Sequence, residues 1–91
     1  MSEPTNGQFS VEALMRSIGA IAFESETLLL RIEAVDADTD EEEGLSDTVM
    51  RLDAALSELR PAYESQRQGA AIYPTFDDLV ARHRAFAARV K

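Results

Sequence analysis

The sequence predicts an all-α fold: a long antiparallel helical hairpin with a third helix packed on it, a three-helix bundle expected to dimerise. Two observations carry most of this. Residues 9–37 repeat apolar side chains in steps of three and four on two faces at once, and two later stretches repeat them on one face each. No stretch alternates polar and apolar residues as a strand would. At 91 residues the chain makes one domain, small enough that a lone three-helix core would be marginal and association a common remedy.

The first helix, expected over residues 10–35, organises the rest. Val11, Leu14, Ile18, Ile21, Ser25, Leu28, Ile32 and Val35 form one seam, with Ser25 its only polar member; Met15, Ala22 and Leu29 widen it. Ala20, Phe23, Thr27, Leu30, Ala34 and Ala37 form a second series on the far side, at about 100° per residue. Glu12, Gly19, Glu26 and Glu33 separate the faces on one side, and Ser17, Glu24 and Arg31 on the other. Residues 1–8 have nothing to anchor them and are expected to be a disordered tail, leaving 9–91 as the single helical domain. Ser10 is placed to cap, with Phe9 and Leu14 as a hydrophobic staple. Gly19 lies within the helix, tolerated by a long, well-packed element at about 1 kcal/mol.

An acidic linker is expected over 36–45, since residues 33–47 hold eight carboxylates and no basic group. Carboxylates there oppose the dipole of the first helix and favour that of the second. The second helix is expected over residues 46–68, from a cap at Ser46, with Thr39 and Glu42 as an alternative, earlier start. Its seam is Leu45, Val49, Leu52, Leu56, Leu59 and Tyr63. Pro61 interrupts the hydrogen bonding, yet the seam keeps its phase, which predicts a kinked continuation ending at Gly69. Thr75 caps the third helix, expected over residues 75–90, with Asp77 and Asp78 in its first turn. Its seam is Phe76, Leu79, His83, Phe86 and Val90.

The totals narrow the function classes. There are no cysteines, which removes disulfides and thiolate chemistry. A net charge of −8 disfavours nucleic acid and anionic membranes as partners. Residues 1–8 lack the basic start and apolar core of a secretion signal, and no apolar run is long enough to span a bilayer, so a cytoplasmic location is expected.

Asp36, Asp38 and Asp40 stand at alternate positions, as in the first half of a calcium loop. Glu41 then takes the place of the turn glycine, Glu43 that of an apolar residue and Asp47 that of the closing glutamate, so no specific metal site is expected. His83, the single histidine, falls on an apolar seam and is expected to pack there. Arg16, Arg31, Arg51, Arg60 and Arg67 have the charge for an anionic substrate, but surface ion pairs explain them. Arg82, Arg84, Arg89 and Lys91 suit the C-terminus of a helix.

The expectation is a non-enzymatic, acidic interaction or regulatory module without cofactor. It self-associates through Ala20, Phe23, Thr27, Leu30 and Ala34 and has room for a protein partner. A chaperone- or antitoxin-like protein that covers a partner with its apolar helix face is the alternative. A small helical enzyme with an arginine-lined site at a dimer interface is the third, and three arginines converging on one pocket would favour it.

Overall fold

A computed structural model of the protein describes residues 10–35, 39–68 and 70–90. They form three helices: α1, Val11–Ala34; α2, Asp40–Arg67; and α3, Phe76–Val90. Helix α2 runs antiparallel to α1, as the approach of Ser25 to Asp53 and of Arg31 to Glu41 shows. Helix α3 runs parallel to α1: His83 lies at the level of Gly19 and Phe86 at that of Phe23. Both α2 and α3 pack on α1, while they touch each other only slightly. None of these helices is long and apolar enough to cross a membrane.

Each helix starts where a hydroxyl accepts an otherwise unpartnered backbone N–H. Ser10 Oγ accepts from Ala13 N at 3.1 Å, and Thr75 Oγ1 from Asp78 N at 3.1 Å, both as the sequence suggests. The start of α2 differs from the expected Ser46. Thr39 Oγ1 accepts from Glu42 N at 3.1 Å, so the helix begins at Asp40 and absorbs residues 40–45 of the expected linker. The reason is electrostatic: Asp40, Glu41, Glu42 and Glu43 form its first turn, where the helix dipole stabilises negative charge. Helix α2 continues through Pro61 to Arg67. Its cap is Gln68, in the left-handed region at φ 50°; Gly69, expected as the stop, lies outside the described residues.

The connection from α2 to α3 is held by side chains of the last turns of α2. Glu64 accepts from the Phe76 backbone N–H at 2.8 Å and from Arg67 Nε at 2.7 Å. Arg67 also donates to the carbonyls of Ala70 and Tyr73, each at 3.2 Å. The Tyr63 hydroxyl donates to the Pro74 carbonyl at 2.6 Å, and burial pushes its pKa up, which keeps it a donor.

The core lies in one half of the bundle. Leu14, Ile18 and Ala22 of α1 meet Leu56 and Tyr63 of α2 and Phe76 and Leu79 of α3. Helix α1, at 24 residues, spans about 36 Å and α3, at 15 residues, about 22 Å. The hairpin of α1 and α2 therefore projects past the end of α3 as a two-helix arm. In that arm Val49 is buried, whereas Leu28, Leu29, Leu30, Ile32 and Leu45 are only half-buried. The arm also makes the molecule long: its radius of gyration is 15.5 Å, against about 12 Å for a compact chain of this length.

Gly19 has a specific role in the packing of α3. It is buried where α3 crosses α1, and a Cβ placed on it would lie 2.7 Å from both Cε1 and Nε2 of His83. The imidazole thus occupies the space left by the missing side chain. The expected result is a coupled pair. In a His83→Ala background, Gly19→Ala should stabilise by about 1 kcal/mol through helix propensity. With His83 present, urea unfolding should show that gain abolished or reversed by the displaced ring. Gly44→Ala, with nothing within 4 Å, is the control and should stabilise in either background.

Glu64 yields a pH dependence. The hydrogen bond from the Phe76 backbone, and then that from Arg67, hold its carboxyl below the ordinary value of 4.5. A lowered folded-state pKa stabilises the fold above the unfolded value, and this contribution is lost as pH falls through the folded one. Thermal unfolding followed from about pH 6 down to about pH 3 should lose less stability in Glu64→Gln than in the wild type.

Candidate functional site

Two surfaces stand out beside the core: a polar junction where all three helices meet, and a partly covered apolar face on α1 and α3.

The junction begins with Ser25, the polar break in the first seam of α1. Its side chain is fully buried, and its hydroxyl donates to Asp53 Oδ1 of α2 at 3.0 Å. The same Asp53 oxygen accepts from Arg84 Nη2 of α3 at 3.3 Å, and Arg84 Nη1 donates to Glu26 Oε1 of α1 at 3.4 Å. One guanidinium thereby bridges α1 and α2 from α3. A buried hydroxyl requires an acceptor, and a carboxylate shared with an arginine is a strong one. Ser25 signals its role only as an interruption of an apolar series, and nothing in the chain pairs it with Asp53, 28 positions later.

A cleft of about 360 Å³ opens between α2 and α3, where those helices part. Leu56, Phe76 and Val80 line it, and Asp53, Arg60, Asp77 and Arg84 supply its charges. Arg60 donates to Asp77 at 2.9 Å and lies 4.4 Å over the Phe76 ring. Both arginines of this cleft are thus engaged with carboxylates.

The other arginines disperse. Arg31 pairs with Glu41 at 3.9 Å and Arg51 with Asp47 at 3.1 Å, while Arg67 holds the α2–α3 connection. Arg16 lines a separate cleft with Glu12, Met15, Ile72 and Tyr73. Neither cleft brings three arginines together. Among the metal-ligand candidates, Asp36 and Asp38 lie outside the described residues and Asp40 is exposed at the start of α2. The described residues contain no group of three or more His, Asp or Glu suited to a metal ion.

The apolar face is divided. Phe23 stacks on Phe86 of α3, ring centres 5.8 Å apart and planes inclined at 49°. Part of the second face of α1 is therefore covered within one chain, and Phe23 and Leu30 are half-buried. Ala20, Thr27 and Ala34 remain exposed. Covering Phe23 leaves Phe86 itself 49% exposed and Val90 57% exposed. The seam expected for α3 is correct at Phe76 and Leu79 but rotates away at its end, where Ala87 is the buried residue. The Thr27 hydroxyl donates to the Phe23 carbonyl at 2.9 Å, so Thr27 satisfies its polar group within its own helix.

Compared with known protein families, with curated proteins and with solved structures, the chain gives no match in any of the three.

The polar junction generates a stability test. Asp53→Ala leaves the Ser25 hydroxyl without its acceptor and should cost about 1 kcal/mol. Asp53→Asn keeps an acceptor and should cost less. In a Ser25→Ala background the cost of Asp53→Ala should shrink measurably in chemical denaturation, because the two side chains act as one unit.

Proposed function

We propose that the protein is a non-enzymatic, acidic helical module that self-associates through the outer stripe of α1 and the adjoining edge of α3. The observation that carries this reading is the continuity of exposed apolar surface across two helices. Phe86 of α3 meets Phe23 of α1, whose stripe continues through Leu30, with Ala20, Thr27 and Ala34 open beside it, and Val90 is exposed four residues beyond Phe86. Exposed apolar area of this kind, unlike scattered single residues, favours protein contact. Phe86 supplies the large aromatic anchor typical of such contacts, and alanines allow a second helix to approach closely.

The polar groups of the junction are used for structure rather than for catalysis. The arginines of the larger charged junction bind Asp53, Glu26 and Asp77 and serve to join helices. Ser25, the hydroxyl at its centre, is fully buried and has a carboxylate rather than an imidazole beside it. That arrangement fits a structural junction.

Thr27 lies at the middle of the exposed stripe and contributes little to the fold of the single chain. Thr27→Glu should therefore leave circular dichroism and thermal unfolding of the folded chain essentially intact while separating the copies. Sedimentation at high micromolar concentration is expected to give a dimer for the wild type and a monomer for Thr27→Glu. A wild type that stays monomeric would refute self-association and leave the same face to a different protein.

A further inference from the structure

We infer that two copies pair antiparallel about a two-fold axis near Thr27, with the basic edge of α3 from one copy meeting the acidic tip of the other's hairpin arm. This deepens the self-association reading and rests on it.

Three features of a single chain support the arrangement. The first is the symmetry of the stripe. Ala20 and Ala34 are equally spaced about Thr27, so an antiparallel copy places small residue against small residue at both ends. A two-fold contact needs such self-complementarity, since each residue must fit the surface that it also belongs to. Thr27 suits the axis because its hydroxyl is already bonded to the Phe23 carbonyl, leaving its methyl group for a dry contact.

The second is the step left where α3 ends short of the arm. Helix α3 reaches Gly19 with His83 and Phe23 with Phe86. A two-fold axis at Thr27 exchanges the level of Phe23 with that of Arg31 and the level of Gly19 with that of Val35. The second copy's α3 then lies alongside the uncovered part of α1. Its Phe86 ring falls near Leu30, which its own chain leaves half-buried. An antiparallel pair thus brings the exposed aromatic of each copy to the open step of the other.

The third is charge. Arg82, Phe86 and Arg89 share one side of α3 at spacings of four and three. Both arginines are exposed and belong to no ion pair among the described residues; Arg89 lies 5.9 Å over the Phe86 ring. The arm carries the opposite charge: Glu33 near the end of α1, and Asp40, Glu41 and Glu43 at the start of α2, all exposed. The exchanged levels bring Arg82 to the height of the tip and Arg89 to the height of Leu28. Antiparallel pairing therefore sets positive against negative at both ends, whereas a parallel pair would set each tip beside its like.

The test is a charge exchange read by sedimentation. One variant carries Arg82→Glu with Arg89→Glu, the other Glu33→Arg with Glu43→Arg. All four positions are exposed, and circular dichroism verifies folding; should either variant misfold, Arg82→Gln with Arg89→Gln and Glu33→Gln with Glu43→Gln replace them. Each charge-reversed variant alone should associate about tenfold or more weakly than the wild type, because each meets its own sign at both ends. Mixed in equal amounts, the two should form a mixed dimer of near wild-type affinity, since both ends are then complementary. With the neutral variants the supporting result is weakened dimerisation and a flatter salt dependence.

A wild-type dimer that neither set of variants weakens, or that the mixture fails to restore, would overturn the antiparallel arrangement while leaving self-association intact. A wild type that is monomeric would overturn both.

Discussion

Where α3 crosses α1, the imidazole of His83 sits against Gly19 in the space that a Cβ would fill. That close approach brings α3 down onto α1 at this level. Its consequences spread through the molecule. Phe76 and Leu79 reach the core, Arg84 reaches Glu26 and Asp53, and Phe86 reaches Phe23. Helix α1 serves both neighbours, and α2 and α3 meet closely only through side chains: Arg84 with Asp53, Arg60 with Asp77, and the residues of the turn that joins them.

The two ends of the bundle solve different problems. At the α2–α3 turn, Tyr63, Glu64 and Arg67 satisfy carbonyls and an N–H that would otherwise compete for water, so the start of α3 is held rigidly beside α2. At the other end the hairpin arm has only two helices to share its apolar side chains. Leu28, Leu29, Leu30, Ile32 and Leu45 are each covered in part. Between the ends, Ser25 and its partners form a polar layer. Such a layer adds little net stability over an apolar one, but it admits one register: a slip would strand a buried hydroxyl.

The same division shapes the proposed function. Charge on this chain is unevenly placed, with four carboxylates opening α2 and arginines concentrated in the second half of α3. Each placement stabilises its own helix through the dipole. Because α3 ends partway along α1, the two charged regions also lie at different heights, which is what allows a reversed second copy to match them. Local helix electrostatics and the proposed pairing thus draw on the same residues.

Much of the fold is legible in the chain itself. Three helices, the caps at Ser10 and Thr75, the continuation of α2 through Pro61 and the central place of α1 follow from periodicity and capping, which act over a few residues. The choice between Thr39 and Ser46 was present as a pair of alternatives, and hydrogen bonding within the first turn of α2 selects Thr39. Other features depended on the packing of distant segments. That Gly19 accommodates His83, that Ser25 is a buried donor to Asp53, and that Phe23 is half-covered by Phe86 all join residues from different helices. Periodicity states which face of a helix is apolar; it carries no information about which neighbour covers that face, or how far along. Those are settled by the lengths of α1 and α3 and by the height at which they cross, and only the tertiary structure contains them.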